Sequence, residues 1–283
     1  MLPDKYKAVW VSHSSMSDFI RCPRAYFLHN LYKDPKTGRK VSVVSGAMSL
    51  GVAVHNTIEA LKDIPVEKRF DRDLYADLEK EWAKVTGRVG GFKSPEDEKE
   101  AKDRALAMIG RVLENPGPLK KKTVRLKEEA GGMAPNFYLS EEDNIILNGR
   151  IDWLEWNEED DSIRVIDFKT GKNEESADSL QLPIYLLLLN AKQKRKVRSA
   201  AYWYLEKDGE DAWVEKELPP ADEAKEKVLK VAREVKKARE TMEFKCHSGE
   251  SGCYNCRPYE AIVRGEGEYL GVGGFGQDLY FLN

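Results

Sequence analysis

Two apolar runs rich in β-branched and aromatic residues, separated by a short acidic segment, stand out from the pattern of hydrophobic and polar positions along the chain. The first run covers residues 145–156, the acidic segment residues 157–161, and the second run residues 162–171. Strand-forming runs on either side of a polar turn predict two antiparallel β-strands. We therefore expect a β-hairpin in the middle of the chain.

The register of this hairpin places two acidic side chains opposite each other. If the turn closes symmetrically about residues 159–160, Asp152 faces Asp167, and their β-carbons are about 5 Å apart. Lys169 lies two residues beyond Asp167 and shares that face of the sheet. The alternate residues of the second strand point the other way, into a core. The hairpin therefore predicts two carboxylates and one ammonium on a single face.

Two carboxylates this close do not both stay ionised unless a cation lies between them. Oxygen ligands of this kind suit Mg²⁺ or Mn²⁺, and Lys169 would then contact an attacking water or a phosphoryl oxygen. The alternative is a surface hairpin with a cross-strand salt bridge, which is a common arrangement. The apolar neighbours Ile151 and Trp153 argue against a solvated face. The hairpin alone leaves both interpretations open.

The residues around these acids resemble a known family. Gly149-Arg-Ile-Asp152, followed by Val165-Ile-Asp-Phe-Lys-Thr-Gly171, resembles the core of the PD-(D/E)XK nucleases in the RecB-like branch; Asp167 stands where many members carry Glu. Residues 14–28 are similar to the N-terminal signature of the same branch. The resemblance implies an α/β, restriction-endonuclease-like core with a mixed central sheet flanked by helices. It also implies that the Phe168 backbone carbonyl joins the carboxylates as a metal ligand.

Two predicted helices carry polar pairs four residues apart. In residues 51–61, His55 and Glu59 share one face; a lone helical histidine is usually a core or surface residue, but the resemblance implies that His55 is a metal ligand. Glu59 would fix its tautomer. Residues 179–190 predict a second helix, with Ser179 as its N-cap. Gln181 and Tyr185 lie four residues apart on this helix, and one interpretation is a buried helix with two polar residues at its edge. The resemblance instead implies an element that contacts DNA and the active site.

The remaining segments predict a single nuclease domain over residues 1–264. It contains a helical insert at residues 62–118 and a first strand at residues 124–129, where Glu128 or its neighbour Glu129 is a candidate to approach the metal. Residues 265–283 form a tail rich in glycine and aromatic residues. This tail either binds a partner, stacks on DNA or packs on the domain, and the sequence does not distinguish these alternatives.

The four cysteines, Cys22, Cys246, Cys253 and Cys256, predict a metal site. Disulfides are disfavoured in the cytosol, and four thiolates suit either tetrahedral zinc or an iron–sulfur cluster. The resemblance to AddB-type and CRISPR-associated RecB-like exonucleases implies a 4Fe–4S cluster, which we favour over zinc. In those relatives the isolated third cysteine usually follows the close pair, whereas Cys246 precedes it, and His247 is a substitute ligand. The bound metal or cluster would link residue 22 to residues 246–256 and so stabilise the fold.

Composition narrows the class of protein. The chain has 283 residues, of which 41% are hydrophobic and 34% are charged. Its net charge of −3 is not typical of a strongly basic nucleic-acid-binding protein. No apolar run approaches the ~20 residues that span a bilayer. Residues 1–5 lack the apolar core of a signal peptide, so we expect a cytoplasmic protein without membrane contact.

The expected function is a Mg²⁺- or Mn²⁺-dependent DNA exonuclease that acts on single-stranded or unwound ends, in recombination, repair, CRISPR adaptation or phage DNA processing. A helicase, recombinase or integrase is the expected kind of partner protein. Two alternatives remain: a non-catalytic, cluster-stabilised DNA-binding subunit of a helicase or integrase assembly, and a restriction-type endonuclease. The candidate active-site residues are His55, Asp152, Asp167, Phe168, Lys169, Gln181 and Tyr185.

Overall fold

The computed structural model describes residues 5–283; residues 1–4, on which the localisation prediction partly rests, lie outside the described residues. The helices are α1 (His13–Arg21), α2 (Pro23–Tyr26), α3 (Gly46–Glu59), α4 (Leu74–Trp82), α5 (Pro95–Glu114), α6 (Gln181–Lys192), α7 (Ala221–Thr241) and α8 (Arg257–Val263). The strands are β1 (Val9–Val11), β2 (Val41–Val43), β3 (Asn136–Ser140), β4 (Ile145–Asn148), β5 (Trp153–Asn157), β6 (Ser162–Lys169), β7 (Lys196–Tyr204), β8 (Trp213–Lys216), β9 (Glu268–Val272) and β10 (Asp278–Phe281).

The described chain folds into two compact units. The cysteine unit combines the chain up to Val44 with Asn136–Gly149 and Pro220–Asn283, and the hairpin unit combines Ser45–Pro135 with Arg150–Pro219. Both units mix helices with strands, so the α/β class is confirmed. The extent of a single nuclease domain stays a prediction. None of the helices within residues 5–283 is long and apolar enough to cross a membrane.

The hairpin unit is built on a mixed four-stranded sheet in the order β5-β6-β7-β8. β5 and β6 are antiparallel, β6 and β7 are parallel, and β7 and β8 are antiparallel. Trp153 pairs with Ile166 and Leu154 pairs with Val165, which is the register that a symmetric turn predicts. Helix α6 connects the two parallel strands, as a parallel pair requires.

The helical insert covers one face of this sheet. Helices α3, α4 and α5 share a core with apolar side chains from β5, β6 and β7, including Leu50, Met108, Trp153, Phe168 and Trp203. Full burial of a large apolar side chain contributes about 1.5–3 kcal/mol, so the insert stabilises the strands that carry the acidic residues. Helices α4 and α5 lie within residues 62–118, the segment predicted as a helical insert.

Two strand predictions are wrong. Residues 145–156 are not one strand: β4 pairs with β1 and β3 in the cysteine unit, whereas β5 pairs with β6 in the hairpin unit. Both pieces are buried apolar strands, so periodicity does not show the break at residues 149–152. Residues 124–129 do not form a strand either. Only their first residue continues the short pairing with β5, through Val124 N–H to Leu154 O at 3.0 Å.

The cysteine unit contains two three-stranded sheets, in the orders β1-β4-β3 and β2-β10-β9. β10 runs parallel to β2 and antiparallel to β9. The Gly- and aromatic-rich tail therefore packs on its own unit as an ordered hairpin, which is one of the three alternatives that the sequence left open. Phe281 at its end is buried, while Phe275 at its turn is 95% exposed.

Candidate active site

The predicted acidic pair lies where β5 and β6 begin to pair. Asp152 immediately precedes β5, and its Oδ2 accepts a hydrogen bond of 2.9 Å from the Phe168 backbone N–H. Asp167 lies within β6 and is 2% exposed. Burial, followed by the negative charge of Asp167, raises the pKa of Asp152 to about 7. The pair therefore carries negative charge that its surroundings do not fully compensate, and a divalent cation would compensate it.

Helix α3 brings His55 to these acids. A Cβ added at Gly51 would lie 3.2 Å from the Thr170 Oγ1, so glycine at this position lets the helix approach the end of β6 closely. One turn later, His55 Nδ1 lies 3.4 Å from Asp152 Oδ2. Burial alone lowers the pKa of His55, but the adjacent carboxylates outweigh it and raise the pKa overall.

Glu59 lies close enough to His55 and Asp152 to be a candidate metal ligand as well as a partner of His55. Its Oε1 lies 3.6 Å from His55 Nδ1, and its Oε2 accepts a 2.7 Å bond from Lys62 Nζ. Burial alone would raise the pKa of Glu59, but hydrogen bonds from His55 and Lys62 lower it overall. Glu59 is thus an ionised carboxylate on the same face as His55.

One imidazole and two carboxylates form a candidate metal site. Ligand atoms of His55, Glu59 and Asp152 all lie within 4.8 Å of one another. Two hard oxygen donors beside a histidine nitrogen fit Mn²⁺ or Mg²⁺. The expected ligand set contained Asp167 where this group contains Glu59. The Phe168 ring packs against His55, with ring centroids 6.0 Å apart, and the role of its carbonyl as a ligand stays a prediction.

The acids of residues 124–129 have other partners. Glu128 lies 3.6 Å from Arg150, and Glu129 is paired with Lys192. Neither belongs to the group of ligand atoms around His55. The expected approach of one of them to the metal is therefore not seen.

Asp167 is held by helix α6. Its Oδ1 accepts hydrogen bonds from Gln181 Nε2 at 2.7 Å and from the Tyr185 hydroxyl at 2.8 Å, and Gln181 Nε2 also lies 3.1 Å from that hydroxyl. Both donors are buried, at 7% and 5% exposure. Burial, followed by the charge of Asp167, raises the pKa of Tyr185 well above its ordinary value, so it stays a neutral donor. The observed partner of both side chains is thus the carboxylate.

Lys169 is surrounded by acceptors. Its Nζ lies 2.9 Å from Asp167 Oδ2, 2.9 Å from Glu175 Oε2 and 2.5 Å from Gln181 Oε1. It also lies 4.8 Å from the centroid of the Tyr202 ring. Burial alone lowers the pKa of Lys169, but the two carboxylates outweigh it and raise the pKa. Lys169 is therefore a protonated donor, which suits positioning of an oxygen better than removal of a proton.

The contact of Glu175 with Lys169 was not predicted from the sequence. Glu175 lies in a polar loop after β6, where no spacing rule connects it to Lys169, and its backbone N–H donates to the Tyr204 hydroxyl at 3.0 Å. The N-cap prediction for α6 is also wrong: Leu180 occupies the cap. Ser179 Oγ instead accepts from the Gln181 backbone N–H at 3.2 Å, which holds the start of the helix by a local turn.

The four cysteines come together in the core of the cysteine unit. Their Sγ atoms all lie within 4.8 Å of one another, and Cys256 Sγ is 3.8 Å from the Sγ of both Cys246 and Cys253. These distances exclude a disulfide, whose sulfurs are about 2 Å apart. The two separations at Cys256 match the edge of about 3.8 Å expected for four sulfurs at 2.3 Å from one tetrahedral zinc. The group contains no histidine, and His247 is exposed.

The thiols differ in acidity. Burial raises the pKa of Cys22 to about 12. Burial acts in the same direction on Cys253, but backbone hydrogen bonds from Cys256 and Asn255 outweigh it and lower the pKa to about 6. The site thus combines a ready thiolate at Cys253 with a thiol at Cys22 that burial keeps protonated, and a bound cation would stabilise the thiolate form of its ligands.

The family model of the PD-(D/E)XK nuclease superfamily matches residues 10–262. The chain therefore belongs to the PD-(D/E)XK nuclease superfamily, whose members are generally nucleases that use divalent metals. This membership implies DNA as the substrate. No match was found among curated proteins.

Proposed function

We propose that the protein is a Mg²⁺- or Mn²⁺-dependent DNA exonuclease of the RecB-like branch, acting on single-stranded or unwound ends. The observation that carries the proposal is the convergence of His55 and Asp152 with the Asp167–Lys169 ion pair, in a setting that raises the pKa of Asp152 to about 7. A helicase, recombinase or integrase partner, and a role in recombination, repair, CRISPR adaptation or phage DNA processing, belong to the same proposal.

The donor set fits a hard divalent cation. His55 and Asp152 would hold it, together with Asp167, the Phe168 carbonyl and Glu59 as candidates for the remaining positions. A cation bound there would supply an acidified water and stabilise negative charge on the reacting phosphate. Asp152 has the least compensated charge of the set, which makes it the residue most dependent on the cation.

The protein's own side chains then have separate tasks. Gln181 and Tyr185 hold Oδ1 of Asp167, so this carboxylate is fixed before substrate arrives. Lys169 stays protonated between Asp167 and Glu175, and the attacking water or a phosphoryl oxygen would accept from it by replacing one of its three present acceptors. The bonds from Gln181 and Tyr185 to Asp167 need no rearrangement during the reaction, which lowers the barrier.

The cysteine group has a structural role in this proposal. Each thiolate of a four-iron cluster binds a different iron, which requires wider sulfur separations than four thiolates on one ion. The two 3.8 Å separations at Cys256, with all four sulfurs within 4.8 Å of one another, support a single zinc ion, which the cysteine pattern ranked second to a 4Fe–4S cluster. Either group would join α1 and α2 to the segment before α8.

The competing functions predict different arrangements. A non-catalytic DNA-binding subunit has no need for a buried lysine held by three acceptors, and the intact Lys169 network argues against it. A restriction-type endonuclease would have the same active-site residues, so only the form of DNA that it cleaves would distinguish it from an exonuclease.

The test is digestion of end-labelled single-stranded DNA with and without Mg²⁺ or Mn²⁺. Wild type should release nucleotides only with the metal, while Asp167→Asn and Lys169→Met should be inactive. Asp160→Asn, at the exposed turn of the same hairpin, is the matched control and should retain activity. Metal-independent digestion, or full activity of both site variants, would remove the proposed mechanism. Cleavage of closed circular DNA would identify an endonuclease, and binding without cleavage a non-catalytic subunit.

A further inference from the structure

The cysteine unit contains a cleft of about 470 Å³ whose lining includes basic but no acidic side chains. We call it the basic cleft; Lys33, Arg39 and Lys40 lie on one side, and Phe275 and Gln277 lie on the other. Two clefts of the hairpin unit mix lysine and arginine with several glutamates. In a chain of net charge −3, a lining without acids is a local departure from the average composition.

Two of the three basic side chains are available to pair with a bound anion. Arg39 Nε is bonded to the buried carboxylate of Asp278 at 2.7 Å. Lys33 and Lys40 form no ion pair with any side chain of residues 5–283. Partial burial, followed by the positive charge of Lys33 and then of Arg239, lowers the pKa of Lys40. An anion in the cleft would relieve this repulsion.

The two sides of the cleft are tied together. Asp278 accepts hydrogen bonds from Thr37 and Arg39, and its own N–H donates to the Lys40 carbonyl at 2.8 Å. β10, which begins at Asp278, runs parallel to β2, which follows Lys40. The backbone at Lys40 and the tail hairpin are therefore held in a fixed arrangement, which reduces the entropy lost on binding.

Phe275 is presented to solvent by the turn between β9 and β10. The Phe275 N–H donates to Gln277 Oε1 at 3.1 Å, and the Gly273 N–H donates to the Gln277 carbonyl at 2.8 Å. Gly276 adopts φ +75°, which glycine allows at little cost. The turn thus holds an aromatic ring in water at the edge of a basic cleft.

We propose that the basic cleft binds single-stranded nucleic acid, with Lys33 and Lys40 contacting phosphates and Phe275 stacking on a base. Grooves that combine ammonium groups with an exposed aromatic ring bind unpaired strands in this way. A paired base is already stacked on both faces, so a single aromatic ring at a hairpin turn favours an unpaired base. The proposal rests on the proposed function, because the strand that the cleft would bind is the proposed substrate.

The experiment is fluorescence anisotropy with a labelled oligothymidine and with an abasic strand of equal length, over a series of salt concentrations and without added Mg²⁺ or Mn²⁺. Phe275→Ala should weaken oligothymidine binding about fivefold or more, leave abasic binding unchanged, and be rescued by Phe275→Trp. Lys33→Gln/Lys40→Gln should make the slope of log affinity against log salt shallower by about 1.4. Lys227→Gln/Lys230→Gln, with the same charge change on exposed positions of α7, should leave that slope unchanged.

Several results would overturn the proposal. These are unchanged binding by the cleft variants, equal loss from Phe275→Ala on both strands, an equal slope change from the α7 control, and equally strong binding of an acidic polypeptide. Circular dichroism and metal content of each variant show whether it remains folded. Digestion by the same cleft variants separates the two proposals: binding through the cleft without any cleavage removes the nuclease function alone, and metal-dependent cleavage with unaltered binding by the variants removes the cleft alone.

Discussion

Asp152→Asn should abolish nuclease activity and, without Mg²⁺ or Mn²⁺, stabilise the protein. The folded state raises the pKa of Asp152 from its ordinary 3.8 to about 7, and the side chain is only 15% exposed. Each pH unit between these values corresponds to about 1.4 kcal/mol, so ionised Asp152 lowers the free energy of unfolding by up to about 4 kcal/mol. Asparagine removes the charge and still offers an oxygen to the Phe168 N–H.

The sign of the pH dependence follows from the direction of the pKa change. The folded protein binds the Asp152 proton more tightly than the unfolded chain does, so wild type loses stability as pH rises from about 4 to about 7. The variant lacks this loss. Its advantage should be small at pH 4, grow through this interval and become constant above it.

The assay is urea unfolding of wild type and Asp152→Asn at several pH values, first without and then with Mn²⁺. The metal should stabilise wild type through binding to the folded state alone and leave the variant nearly unchanged. Asp178→Asn, an exposed position in the same unit, is the control for removal of one charge. A variant less stable than wild type at pH 8, or an equal response of both to Mn²⁺, would refute the reasoning.

Three other outcomes follow from single contacts. Glu175→Gln should lower digestion roughly tenfold, since Lys169 loses one charge-assisted bond; unchanged turnover would show that Glu175 does not position Lys169. Purified protein should contain one zinc and no visible absorption from iron, and Cys256→Ser should lose the metal and unfold at lower temperature; stoichiometric iron would restore the cluster hypothesis. Asp278→Asn should destabilise the protein at pH 7, because hydrogen bonds from Thr37 and Arg39 lower the pKa of Asp278 despite its burial. That stability is present above pH ~4 and lost as pH falls through the lowered pKa, so a difference that does not shrink as the pH falls below 4 would contradict this explanation.

Local sequence was enough to predict the hairpin. A short acidic turn between strand-forming runs sets the pairing, and the side-chain period of two then places Asp152, Asp167 and Lys169 on one face. Trp153 pairs with Ile166, as that register requires. The approach of Cys22 to the three cysteines of residues 246–256 was also predictable, because four thiolates suit one metal site.

Only the tertiary structure decided which groups surround these residues. His55 and Glu59 lie together with Asp152, because α3 packs closely against the end of β6 at Gly51. Gln181 and Tyr185 face Asp167. The sequence does not predict this orientation, because α6 is apolar on all sides and its pattern does not show which side faces the sheet.

The division of residues 145–156 between two units, the ordered tail and the basic cleft have a common cause. Each depends on strand pairing between segments far apart in the chain, such as β2 with β10 and β1 with β4. The hydrophobic pattern of a strand records that it is buried but not which strand lies beside it. The sequence by itself therefore determined the local hairpin and its chemistry, whereas long-range packing decided the partners that hold each group in place.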